Sequence, residues 1–504
     1  MDKYRVLNIA AEATPFSNVG GLSNVIPYLS KSLIKKGHDV RIFMPKFGFI
    51  DESKYKLELI YKGLKIPTKY KKDEKHPQNI ICNIKQYVDE SGVVYYFLEN
   101  MDYYEMRSNV YNYSDDHIRW TLLCEGALRY ILKESEWKPN VIHCHDWHTS
   151  LTPNILKKDF DSYLKDHPEL VTVLTIHNIS FQGHQIDTNS QLNFDDGKSD
   201  IPRFFSERLK TLNFLKRGII YSDIINTVSE GYARQILTPE YGVGLDKLLL
   251  ELRSKLFGII NGVDYDKFNT EKDPLLEFKF NANTLEKRVG NKLRLQKEFG
   301  LGEDENKMIF SFVGRLDYQK GVDLMLEVLD KFLKDFDAQF VLIGSGDKGY
   351  EKSAQMLAAK YKGRVGAHTY ANFSLPKLVF GGSDSILLPS RFEPCGIVQM
   401  EAMRYGTVPI VKATGGLDDT VIDFDPETLL GNGFKFKEFD GWSLYGQMVR
   451  AFETYRNKKV WKQIQKNAME ADFSWDKVAE KYVDLYDKAV YFKKEKFFER
   501  IGSY

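Results

Sequence analysis

Neither sign of charge dominates this chain: 71 lysines and arginines stand against 70 aspartates and glutamates over 504 residues, a formal net charge of +1. That balance removes the electrostatic case for nucleic acid or an anionic membrane as a partner. Apolar residues make up 43% of the chain, yet no run approaches the roughly 20 that a membrane helix needs. Cysteine is scarce. Cys82, Cys124, Cys144 and Cys395 lie far apart and form no C-x-x-C pair, so neither a disulfide framework nor a zinc knuckle is indicated. Low-complexity tracts and short-period repeats are also missing. Met1 to Arg5 leads straight into a strand-like Val6 to Ala11, without the apolar core and cleavage site of a signal peptide. These absences point to a globular protein of a reducing cytoplasm.

What is present is a repeated α/β grammar. A chain of 504 residues exceeds the size at which one core keeps growing, so two domains are expected. Val6 to Ala11, the pair Gly20-Gly21, an amphipathic stretch to Lys36 and then Val40 to Met44 read as a βαβ unit. The same order returns after Lys307. Met308 to Val313 is an apolar strand, and Met325, Leu329, Phe332 and Phe336 keep helical spacing before the next strand at Gln339 to Ile343,. Each half therefore starts its own parallel sheet, with a boundary near residue 270 where Thr270 to Pro274 breaks the hydrophobic pattern,. Ligands of open α/β sheets bind at the carboxyl ends of strands, which places function in a cleft faced by both domains. Lys69 to Lys75 reads as a solvated loop and Lys493 to Arg500 as a solvated helix face. Ser474 is an N-cap candidate for a helix carrying Val478, Tyr482, Leu485 and Ala489 on one stripe,.

Several polar segments sit where those strands end. Ser17 to Leu22 joins a strand to a helix through Gly20 and Gly21; such a turn is either a structural device or a place where backbone amides approach an anion. His143 to His148 ends an apolar strand, with His143 and His145 on one face,. Three histidines and Asp146 invite a metal, but no second cluster has ligand spacing. Trp147 at a cleft edge suits a sugar face, so a polar sugar pocket is the preferred reading. His177 and Asn178 follow another apolar strand and, standing alone, read as structural. Arg315 and Lys320 flank a loop whose next helix opens at Gly321, so two cations and a helix N-terminus meet the needs of a diphosphate. Pro389 to Gly396 is the densest segment: Glu393 can accept from sugar hydroxyls, while Cys395 and Gly396 offer amides,. Glu401 lies two helical turns beyond Glu393, on the same cleft if the helix starts near Cys395,. Thr414, Gly415 and Gly416 repeat the glycine-to-helix device.

The order and spacing of these segments resemble bacterial glycogen synthases and plant starch synthases over nearly the whole chain. The match includes Gly20-Gly21, His143 to His148, Thr175 to Asn178 with Gln182-Gly183, Gly314 to Leu316 with Gln319 to Gly321, Arg391 to Gly396, and Thr414 to Leu417 with Asp419 to Val421. The resemblance implies a GT-B architecture of two Rossmann-like domains: an acceptor-side domain at 1–270, a nucleotide-sugar domain at 271–472, and a helix at 473–504 crossing back to the first. It implies transfer of glucose from ADP-glucose or UDP-glucose to the non-reducing end of an α-1,4-glucan, with retention and without metal or other cofactor. Carried over, Arg315 and Lys320 hold the distal phosphates, Glu393 binds the glucose with the amides of Cys395 and Gly396, His177 lies near the anomeric carbon and Asp146 near the sugar on the acceptor side, with His145, Trp147 and Asn178. Tyr370 stacks on the base. The chain departs from the family at Asn18, usually Lys, and Asn24, usually Asp; the pair leaves the loop charge unchanged, and mutual compensation is expected. Glu401 replaces an aromatic residue or histidine and, as in the broader retaining group, is expected on the nucleotide ribose. Two other readings stay open: a catalytically weak glucan-binding regulator, and a nucleotide-sugar enzyme with a different substrate or acceptor.

Overall fold

The computed structural model describes residues 3–71, 75–183, 195–370 and 374–501, and the side chains up to 495. It divides into two compact units. The first comprises residues 1–228, 233–259 and 475–504, and the second 229–232 and 260–474.

The first unit is built on nine strands: β1 (Arg5–Ile9), β2 (Asp39–Pro45), β3 (Glu58–Pro67), β4 (Asn79–Val88), β5 (Val94–Glu99), β6 (Val141–His145), β7 (Val171–Ile176), β8 (Ile224–Thr227) and β9 (Leu256–Gly258). Their order is β3-β4-β5-β2-β1-β6-β7-β8-β9. The β3–β4 and β4–β5 pairs are antiparallel, and the others are parallel. All residues of β6, β7 and β8 are buried, as expected for parallel strands with both faces covered. The βαβ read from the sequence is present, its helix running Leu22–Lys35. The C-terminal helix, Trp475–Ile501, belongs to this unit, and Val478, Tyr482, Leu485 and Ala489 are its buried stripe.

The second unit carries six parallel strands: β10 (Ile309–Val313), β11 (Gln339–Ile343), β12 (Val365–His368), β13 (Ser385–Leu388), β14 (Val408–Lys412) and β15 (Phe434–Phe436). Their order is β12-β11-β10-β13-β14-β15. Met325, Leu329 and Phe332 of the helix Val322–Asp335 pack into the core of this unit beside Phe310 and Leu342. Two parallel-rich sheets covered by helices are the expected Rossmann-like pair.

One expectation, for the charged face of the C-terminal helix, changes with the structure. Lys493 is not a solvated charge: its Nζ donates to the Leu170 carbonyl, and burial lowers its pKa. The side chains of 496–500 lie outside the described residues, as do 72–74 of the charged loop. Among the described residues no helix is long and apolar enough to cross a membrane.

Candidate functional site

In the second unit, β10 hands over to the turn 314–321. Lys320 Nζ lies 2.5 Å from Glu393 Oε2, and Ser390 Oγ donates to the same oxygen at 3.0 Å. Glu393 is only 7% exposed and Ser390 fully buried, so this pair interacts in a medium of lower dielectric than water. Arg315 behaves differently. Its guanidinium meets Asp317 at 2.9 Å and Gln319 at 3.1 Å, with the side chain 68% exposed. The two cations expected to converge are thus separately engaged, because Asp317, two residues along, captures Arg315 within its own turn.

The segment 391–396 is held at both ends. Arg391 meets both carboxylate oxygens of Asp323 at 2.9 and 2.6 Å, donates to the Tyr318 carbonyl at 2.7 Å, and lies between the rings of Tyr318 and Phe439. It anchors the loop. Pro394 O accepts from Ser229 Oγ at 2.6 Å, and Gly396 O from Gln399 Nε2 at 2.6 Å. Gly416 N donates to the Glu393 carbonyl at 3.1 Å. There the buried segment Thr414 to Gly416 presses against the donor-type loop so closely that a methyl group on Gly416 would lie 1.9 Å from the Cys395 carbonyl oxygen. Burial pushes the Cys395 thiol up to about 12, which makes it a packing residue rather than a nucleophile.

Glu401 and Tyr370 occupy their own surroundings. The helix bearing Glu401 runs Val398–Arg404, so it begins later than Cys395. Burial raises the Glu401 carboxyl to about 7 against the opposing charges of Lys267 and Lys377; Glu393 is paired with Lys320 instead, and the structure gives the two carboxylates no common partner. Tyr370 is half exposed, and its hydroxyl lies 2.9 Å from His368 Nδ1. Its ring stacks on His368, which stacks in turn on Phe299.

In the first unit the glycine turn is closed from beneath by Glu12, a residue the sequence reading passed over. Its carboxylate accepts from Val19 N at 2.7 Å and Gly20 N at 3.0 Å. The Gly20 amide is therefore not a free anion donor, because a buried carboxylate already holds it. The available signal was a lone acid in the small-residue run Ala10 to Ala13. Gly21 ends the turn as N-cap of Leu22–Lys35. Asn18 is exposed and accepts from Ser23 Oγ at 2.8 Å, while Asn24 meets Thr14 Oγ1 at 3.4 Å; each has its own local partner.

Asp146 sits just past β6 with φ 58° and ψ −176°, a backbone region unusual outside glycine and characteristic of functional sites. Its Oδ1 accepts from His177 N at 2.7 Å and Asn178 N at 3.4 Å. Burial outweighs these amides and raises the carboxyl to about 7. The unfolded value is about 3.9, so between the two pH values folding takes up a proton. The stability allowed by the neutral acid is complete below about pH 4 and is lost as pH rises through 7. Asp146→Asn is accordingly expected to gain Tm relative to wild type at pH 8 and to lose that advantage at pH 4; a pH-independent Tm difference in thermal melts refutes this.

Behind Asp146 lies a chain of histidines: His145 Nδ1 is 3.2 Å from His177 Nε2, and the rings of His143 and His145 stack at 4.2 Å. Asn178 Oδ1 accepts from Ser180 N at 3.0 Å. Trp147 is half-buried among Trp120, His148 and Phe214, and Gly183, at φ +78°, presses on it so that a methyl there would sit 2.1 Å from its Cε3. The ring is thus less open than the expected stacking platform, yet it lines a cavity of about 630 Å³ with Tyr113, His117, Phe181 and Gln182. Among the described residues the one group of three acids close enough to share a cation is Glu52, Glu99 and Glu105. Lys46 and Lys85 already bridge it at 2.5 to 3.0 Å.

Comparison with known proteins gives consistent matches. Residues 5–251 match the starch synthase catalytic domain, and residues 294–467 the glycosyl transferases group 1. A glycogen synthase of Trichodesmium erythraeum is 38% identical over 490 residues, covering 96% of this chain and 98% of the relative. One from Clostridium botulinum is 38% identical over 502 residues, covering 97% and 100%. The catalytic domain of starch synthase IV from Arabidopsis thaliana, bound to ADP and acarbose, superposes with a TM-score of 0.81 at 31% identity, covering 97% of this chain and 100% of that one. A sucrose-phosphate synthase from Thermosynechococcus elongatus, at 16% identity and a TM-score of 0.57 with 96% and 99% covered, shares the fold.

Proposed function

The chain belongs to the glycogen and starch synthase family of glycosyltransferases, and from that premise we propose that it adds glucose from ADP-glucose or UDP-glucose to the non-reducing end of an α-1,4-glucan with retention of configuration. The observation that carries this reading is the shielded pair Lys320 and Glu393. An activated sugar is a polyhydroxyl ring beside an anionic diphosphate, and the pair offers one partner to each. Negative charge grows on the departing diphosphate, so a fixed ammonium there stabilises the transition state more than the bound donor.

Arg315 joins Lys320 at the phosphates, swinging from Asp317. Glu393 accepts from glucose hydroxyls, with the amides of Cys395 and Gly396 beside it and the Thr414 to Gly416 segment bracing them. Tyr370 stacks on the base. His177 and Asp146 are assigned to catalysis on the sugar, and Asn18, Gly20 and Gly21 to binding of the nucleotide sugar. Trp147 and Asn178 belong to the acceptor side, whereas His145 is wholly buried with its ring nitrogens engaged by Asn8 and His177, and the cavity beside Trp147 has the volume of a small-molecule site,. The ADP held by the Arabidopsis relative favours ADP-glucose.

Purified protein offered each radiolabelled donor with a maltooligosaccharide is expected to extend the chain by α-1,4-linked glucose. Transfer from neither would leave the glucan-binding regulator as the better reading. Glu401 is assigned to the nucleotide ribose, so Glu401→Gln is expected to raise the donor KM by about tenfold with a smaller change in kcat; an unchanged donor KM removes the assignment.

A further inference from the structure

The orientation of the Asn8 amide sets the proton order in the histidine chain behind His177. Asn8, on β1, donates from Nδ2 to Ser30 Oγ at 3.1 Å and turns Oδ1 toward His145 Nε2, also at 3.1 Å. An amide oxygen only accepts, so His145 carries its proton on Nε2. Burial holds both His145 and His177 far below their usual titration range, and a neutral imidazole has one N–H. His145 Nδ1 is therefore a bare lone pair, and His177 Nε2, 3.2 Å away, is the donor to it. The order ends at His177 Nδ1, which is left without a proton.

We propose that Asn8 and His145 are positioning residues that fix His177 as the Nε2–H tautomer, so that its Nδ1 presents a hydrogen-bond acceptor to a sugar hydroxyl. The part of this that concerns sugar rests on the proposed function; the tautomer does not. His143 clamps the arrangement: its ring stacks on His145, and its nitrogens are tied to Tyr486 at 3.0 Å and Thr175 at 2.7 Å. The consequence is chemical selection. A hydroxyl has a proton to give to a bare nitrogen, whereas a diphosphate oxygen has none and is repelled by it. The wall at His177 thus admits the sugar and turns away the phosphates, and a ring locked in one tautomer needs no reorganisation when the sugar arrives.

The test uses ligand-free, full-length protein labelled with ¹⁵N-histidine at neutral pH, with the His177 signals assigned by their loss in His177→Gln. A single tautomer protonated on Nε2 is expected; protonation on Nδ1, or averaging between the two nitrogens, overturns the proposal. Asn8→Leu keeps the side chain's approximate size without the acceptor. It is expected to produce averaged His177 nitrogens and a donor KM raised by about tenfold. A folded Asn8→Leu protein in which His177 stays protonated on Nε2 reduces Asn8 to packing and overturns its assigned role. If that variant does not fold, the wild-type spectrum still decides. Absence of glucosyl transfer by a protein with the expected His177 tautomer would overturn the functional reading alone.

Discussion

Lys320→Met is expected to lower kcat by about 10²- to 10³-fold, the cost of removing one preorganised group that stabilises transition-state charge. Methionine keeps much of the aliphatic length and deletes the ammonium that sits 2.5 Å from Glu393. Two effects then add. The leaving diphosphate loses a cation, and Glu393, almost wholly buried, is left as a buried charge without its counter-ion. Lys320→Arg keeps the charge but spreads it over a larger planar fork in place of a compact ammonium, so it should recover only part of the rate. Steady-state kinetics with saturating donor, together with a thermal melt, separates the possibilities. A fall in Tm with kcat per folded molecule unchanged would make Lys320 a structural ion pair and remove the observation on which the functional reading stands.

Gly416→Ala is expected to cost about 1–3 kcal/mol, or roughly 3–10 °C in Tm, and to reduce transfer by about 10²-fold through displacement of the donor-type loop. The added methyl would lie 1.9 Å from the Cys395 carbonyl oxygen and 2.6 Å from its Cα; both are backbone atoms that cannot rotate away. Relief requires the 414–416 segment and the 393–396 loop to separate, which breaks the bond from Gly416 N to the Glu393 carbonyl and shifts the carboxylate that carries the reading. Gly21→Ala is the control for stability, because a methyl there meets nothing within 4 Å. Equal Tm values for the two alanine variants would contradict the close approach.

The elements that were legible are those whose signal is local. β10 and the helix Val322–Asp335 follow from an apolar run and helical spacing in adjacent residues, and parallel strands buried on both faces, such as β6 and β7, announce themselves by hydrophobicity. Loops at the carboxyl ends of such strands, among them 143–148, 314–321 and 389–396, could be singled out because polar residues crowd where the strand stops. Partners were not legible. That Glu12 would consume the amides of Val19 and Gly20, that Asp317 would hold Arg315, or that Arg391 would be spent on Asp323 and two aromatic rings depends on how each loop turns.

The amino-acid sequence by itself determined two α/β halves, the family, and the residue types available for a sugar and a diphosphate. Only the tertiary structure decided which of those groups meet. Asn8, His145 and His177 come from β1, from β6 and from just beyond β7, and they line up because β6 pairs in parallel register with both neighbours, placing Asn8 opposite His143 and Thr175 opposite His145. Register between strands distant in sequence, β1 and β6 more than a hundred residues apart among them, is set by the packing of whole sheets, since a shift of one residue would turn every side chain to the other face. No stretch of sequence near His177 contains that information, and the proton it presents or withholds is decided at Asn8.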